Sequence, residues 1–159
     1  MGSETRPLHV LFSPLMAQGH IIPMTDIAKL FALRQGVQVS IVTTPLDATR
    51  ITSTIDRHRT TNITIHLLQL PCSEAGFPDG CETLDSAISL GMVMAFSKAL
   101  TLLQQPFERL LQRHRPDCIV SDTFLPCRRQ VGCTETGVQR VQLLPPMRLQ
   151  RHRQVLVPS

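Results

Sequence analysis

Leu8-His-Val-Leu-Phe-Ser-Pro-Leu-Met-Ala-Gln-Gly-His-Ile-Ile-Pro-Met24 changes periodicity partway along its length. Residues 8–13 form an apolar run of strand length. Pro14, whose ring offers no N–H to a ladder, closes it. Over residues 21–34 the apolar positions Ile22, Ile27, Leu30, Phe31 and Leu33 fall at helical spacing. Pro23 suits a first helical turn, and Gly36 suits a left-handed cap after the last. At the seam between the two periods stands Gly19-His20, where a simple capping residue would serve.

Working outward, Val37–Thr43 reads as a second strand, Pro45 to about Arg57 as a second helix, and Ile63–Leu68 as a third strand. The turn-rich stretch Pro71–Glu82 reads as a loop. Leu84–Leu103 and Pro106–His114 read as helices, and Cys118–Ser121 as a short buried strand ending at Asp122. Strands alternating with helices predict an α/β, Rossmann-like parallel sheet covered on both faces. The usual doubly wound order, 3-2-1-4, sets the first and fourth strands side by side. Ligands of such sheets collect beyond the carboxyl ends of the strands, at that switch point. His20 and Asp122 are thereby aimed into one crevice.

The 159 residues fit one domain with a genuine core, burying roughly 70% of the unfolded surface. Trp and Tyr are both absent. Neither a signal peptide nor a membrane span is expected, which predicts a cytoplasmic protein with its five cysteines reduced. The net charge of +4 is unevenly placed. Residues 1–126 hold 10 Lys+Arg against 11 Asp+Glu, a net −1, whereas residues 127–159 hold 6 Arg against 1 Glu, a net +5. A basic tail without a basic folded face argues against nucleic acid as a partner.

A histidine beside a carboxylate is what general-base catalysis asks for: the imidazole takes a proton from a hydroxyl while the carboxylate holds its tautomer. Taken singly, a His opening a helix and an Asp ending a strand more often cap or hydrogen-bond, so both readings stand at this point. Histidines 58, 66, 114 and 152 lack zinc-ligand spacing, and no Asp-x-Asp pair offers a divalent site, so no metal is expected. Dinucleotide and P-loop glycine fingerprints are missing after the first strand. Met92, Val93, Met94 and Phe96 suit core packing, and their adaptable side chains also suit a pocket for flat apolar molecules.

Four stretches together carry a resemblance: Val10–Met24, Val42-Thr-Thr-Pro45, Leu70–Glu82 with its Ala-Gly-Phe-Pro-Asp-Gly-Cys-Glu, and Pro116-Asp-Cys-Ile-Val-Ser-Asp-Thr-Phe-Leu-Pro126. In this order and spacing they closely resemble the amino-terminal half of plant family 1 UDP-glycosyltransferases. The resemblance covers about residues 7–126. It implies the acceptor-binding, Rossmann-like part of a GT-B fold, incomplete, and a metal-free inverting transfer of a sugar, glucose above all, from a UDP-sugar to a hydroxyl of a flavonoid, terpenoid or other small molecule. By position, His20 would be the base and Asp122 its orienting carboxylate. Leu15, Met16, Met92, Phe96 and Phe124 would line the acceptor pocket, and Gly19 would approach the donor. No cofactor is implied; UDP-sugar is the co-substrate.

Two departures qualify that expectation. The family's donor signature, opening Trp-Ala-Pro-Gln and containing His-Cys-Gly-Trp-Asn-Ser, is not present, so the chain is expected to be inactive unless a donor domain is supplied. From Cys127, where the family shows Trp, the sequence diverges, so residues 127–159 are expected to form a poorly ordered basic tail arising from a frameshift, splice change or truncation. Within that tail Gly137–Leu143 resembles the family's next strand. The competing non-enzymatic expectation is a small-molecule binding or interfering protein.

Overall fold

The computed structural model describes residues 6–57, 63–78, 80–122 and 139–143. Along the chain run β1 (Leu8–Ser13), α1 (Gln18–Ala32), β2 (Val37–Thr43), α2 (Pro45–Arg57), β3 (Ile63–Leu67), α3 (Cys72–Ala75), a 3-10 turn at Leu84–Ser86, α4 (Leu90–Leu102), α5 (Gln104–His114), β4 (Cys118–Asp122) and β5 (Gln139–Leu143). The strands form one parallel sheet in the order β3-β2-β1-β4-β5. β1 is central: Phe12 pairs with Ile41 of β2 on one side and Val120 of β4 on the other.

Strand alternation divides the core between the two faces. Val10 and Phe12 of β1 join Val39, Ile41 and Val120 beneath the apolar side of α1 (Ile21, Met24, Ala28). Ile51 and Ile55 of α2 complete that layer. On the opposite face Leu11, Val42 and Ile119 pack against Phe107 of α5. A third cluster lies past the carboxyl ends of the strands. There the loop residues Leu15, Met16 and Ala17 meet Phe77, Phe96 and Leu100.

Several boundaries differ from expectation, each for a local reason. α1 begins at Gln18, three residues early, so Pro23 sits inside the helix. Its ring cannot donate to the carbonyl four residues back, that of Gly19. The segment read as a single helix over Leu84–Leu103 is instead a 3-10 turn followed by α4, because Ser89 is extended and its Oγ accepts from the Met92 amide at 3.3 Å, starting a new helix. The loop over Pro71–Glu82 contains the one-turn α3, closed by Gly76 at φ 77°. β5, by contrast, falls within Gly137–Leu143, the stretch read as strand-like, and pairs with β4 from Cys118↔Gln139 to Asp122↔Leu143. Among the described residues no helix is long and apolar enough to cross a membrane.

Candidate active site

Pro14 ends β1, and the chain turns through Ala17, whose backbone is extended (φ −150°, ψ 139°), before α1 begins. His20 is the third residue of that helix. Its amide and that of Ile21 both bond the Ala17 carbonyl at 2.9 Å. Asp122 is the last residue of β4, one step beyond the Ser13↔Ser121 pair. Adjacent parallel strands thus bring together two residues 102 positions apart. His20 Nδ1 stands 2.6 Å from Asp122 Oδ2.

The histidine side chain is 24% exposed and the aspartate 4%. A carboxylate only accepts, so Nδ1 carries the hydrogen; in a neutral ring the lone pair then resides on Nε2. The ring is thus partly accessible, with its Nδ1 side held by a buried carboxylate.

The other candidates fall into different settings. Leu15, Met16 and Phe96 are buried in the third cluster, where Phe96 meets Phe77 edge-on at 5.6 Å, and Met92 packs half-buried against it. Gly19 is exposed, and a Cβ built there meets nothing within 4 Å, so nothing within the described chain requires a glycine. Phe124 lies outside the described residues. An open groove of about 630 Å³ between α3 and the α4–α5 junction, walled by Pro71, Thr101, Gln104 and Arg109 among others, includes neither His20 nor Asp122. Among the described residues no group of three or more His, Cys, Asp or Glu is arranged to hold a metal ion.

Sequence reading missed the acidic segment that braces this end of the sheet. Asp85 Oδ2 accepts from the Gln18 amide at 2.8 Å, and Glu82 Oε2 accepts from the Leu46 amide at 2.8 Å, so the first turns of α1 and α2 are capped from one segment. The available signal was Ala17. A helix whose capping position has no side-chain oxygen must find its acceptor elsewhere.

Nearby, Asp47 is fully buried, with Oδ1 3.0 Å from an Arg50 guanidinium nitrogen, and Oδ2 has no hydrogen-bond partner among the described residues. Burial raises its pKa above the usual carboxylate value, Arg50 opposes that shift, and Asp85 and Glu82 add to it.

A histidine and carboxylate at the switch point of a parallel sheet define the class as a Rossmann-like domain with its site beyond the strand ends. No protein-family model matches the chain. It is 46% identical over 137 residues to UDP-glycosyltransferase 73C1 of Arabidopsis thaliana, covering 83% of this chain and 28% of that protein. It is 46% identical over 121 residues to scopoletin glucosyltransferase of Nicotiana tabacum, covering 75% and 25%. Among solved structures it is similar to Glycyrrhiza uralensis UGT73P12, crystallised with glycyrrhetinic acid 3-O-monoglucuronide: TM-score 0.72, 32% identity, 86% of this chain and 28% of that one. In sequence and fold the chain is similar to the plant UDP-glycosyltransferases, and its sheet resembles part of their GT-B fold. It spans about a quarter of the length of the relatives it matches.

Proposed function

We propose that the chain is the acceptor-binding part of an inverting UDP-glycosyltransferase acting on a hydroxyl of a plant small molecule. The observation that carries this reading is the 2.6 Å contact between His20 Nδ1 and Asp122 Oδ2 at the carboxyl ends of the strands. His20 Nε2 takes the acceptor's hydroxyl proton, and Asp122 steadies the resulting imidazolium. The acceptor oxygen attacks the anomeric carbon as its bond to UDP breaks, and UDP departs with the bonding pair.

In this reading the acceptor rests on the third cluster, with Leu15, Met16 and Phe96 as floor and Met92 as adjustable wall. Phe124 joins that wall, and Gly19 leaves room for the donor. Base, acceptor and donor must meet within bonding distance. In this reading the donor is held by the part of the fold that the 159 residues do not match, so the test supplies that part. A cytosolic setting fits Cys81 and Cys118 as free thiols.

The test mixes the chain with the remaining part of a matching relative, UDP-glucose and a phenolic acceptor such as scopoletin, and measures glucoside by chromatography. Turnover is expected only in the mixture, and His20→Ala should lower it by about 10²–10⁴-fold. Equal turnover by wild type and His20→Ala would overturn the assignment, as would no turnover from a mixture shown to associate.

A further inference from the structure

We infer that Asp85 is a positioning residue for His20: it caps α1 across the chain and holds the first turn in the register that lets the imidazole reach Asp122. As a role in catalysis this rests on the reading above; as a structural device it does not.

The first turn of α1 cannot anchor itself. Ala17, in the capping position, makes no side-chain hydrogen bond, and the turn contains no acidic residue. The Ala17 carbonyl serves the His20 and Ile21 amides, and the Gln18 amide is bonded to Asp85 Oδ2 at 2.8 Å. A carboxylate is also the right chemistry there, since aligned peptide dipoles leave a helix amino terminus partly positive.

The clasp has a second contact and a rigid mounting. The Leu84 amide donates to the Met16 carbonyl at 2.7 Å, one residue before the helix cap. The 3-10 turn that presents Asp85 is closed by the bonds Ser86 N to Thr83 O (3.1 Å) and Ala87 N to Leu84 O (2.9 Å). Thr83 is buried, its Oγ1 lies 3.2 Å from Ser86 Oγ, and Leu84 packs against the third core cluster. Asp85 is therefore held by its own segment before it reaches Gln18.

Geometry makes this capping consequential for the histidine. A helix advances 1.5 Å and turns about 100° per residue, so unwinding even part of the first turn swings His20 away from Asp122. Displacements on the order of 1 Å at a reacting group can cost about a hundredfold in rate. His20 is the third helical residue, within the turn that a lost cap frays.

The experiment uses the full chain labelled with ¹⁵N and reads two NMR signals: hydrogen exchange at the Gln18 amide, and the Nδ1–H resonance of His20. Asp85→Ala should speed Gln18 exchange roughly five- to thirtyfold, the range a lost cap produces, and weaken the His20 resonance. Asp85→Asn retains an acceptor oxygen and should restore most of both. Ala17→Ser added to Asp85→Ala supplies a local cap for the Gly19 or His20 amide, so it should restore the His20 resonance while Gln18 exchange stays fast.

The inference is overturned if Asp85→Ala leaves the His20 resonance unchanged, whether or not Gln18 exchange rises. Should Asp85→Ala also unprotect the Val10 and Val39 amides of the sheet, the Ala17→Ser double variant decides: recovery of the His20 signal supports the inference, and no recovery overturns it. With the partner fragment supplied, Asp85→Ala should lower kcat by up to about a hundredfold with acceptor KM within twofold. Absence of turnover from wild type in that mixture counts against the transferase reading alone, because the NMR signals are read without it.

Discussion

Asp47 shows how a single side chain can oppose the structure that contains it. It is fully buried, and Arg50 is its ion-pair partner. Burial holds its pKa above the unfolded value, so the folded state binds the proton more tightly than the unfolded one. Its contribution is thus present at pH values below about 3.8 and is lost as pH rises through the folded-state value. At neutral pH the ionised group is a net burden. Asp47→Asn keeps an acceptor for Arg50 without the charge, so its melting temperature should exceed wild type at pH 7 and converge with it near pH 4. Thermal circular dichroism at both pH values checks the sign; equal shifts would place the effect in packing.

At the scale of elements, α5 is fastened to the sheet partly through histidines. His9 of β1 is buried with Nε2 2.8 Å from Ser40 Oγ, and His66 of β3 stacks on His114 of α5 with ring centroids 4.1 Å apart. Burial lowers both the His9 and His66 pKa values. For His9 the His114 backbone and Asp117 oppose the shift while His114 and Arg6 add to it; for His66 the charges of His114, His9 and Arg113 add to it. A lowered histidine pKa means that the unfolded chain takes up the proton first. Stability should therefore decline as pH falls below about 6.5 and go on declining until the folded-state values are reached. His66→Leu removes one titrating group and the stacked partner of His114. Urea unfolding at several pH values should show a shallower decline than wild type between about pH 7 and 5. An unchanged slope would refute the assignment to His66.

Asp117 acts in the same direction, at the amino-terminal end of β1 and β4. Its Oδ2 accepts from the His9 amide at 2.8 Å and its other oxygen pairs with Arg6, and the bond from His9 is the chief reason its pKa is lowered. That contribution is present above about 3.8 and lost as pH falls through the folded-state value, below the range where the histidines act.

For the whole molecule the decisive pairing is β4 with β5. β4 carries Asp122 at its end, and β5 covers the edge that β4 would otherwise present. Val141 pairs in register with Val120 in that ladder. Val141→Pro removes a backbone donor and adds a ring where the strands meet, and an uncovered apolar edge recruits other chains. The variant should melt at a lower temperature and scatter light at concentrations where wild type is clear. Unchanged melting and scattering would show that β5 contributes little.

The elements and their order were legible in the sequence because each rests on local chemistry: an apolar run ended by Pro14, helical spacing after it, and Gly36 in the left-handed turn (φ 74°). Strand order followed from general rules of parallel sheets, and with it the placement of His20 near Asp122. Helix starts were less legible, as α1 and α4 show, because a cap depends on which oxygen reaches the first amides. That oxygen belongs to Asp85 for α1, 67 residues along the chain. The sequence by itself determined which residues could make a strand, a helix or a base. Only the tertiary structure decided the 2.6 Å approach of His20 to Asp122 and the clasp at Gln18, because both depend on contacts between segments that local periodicity does not connect.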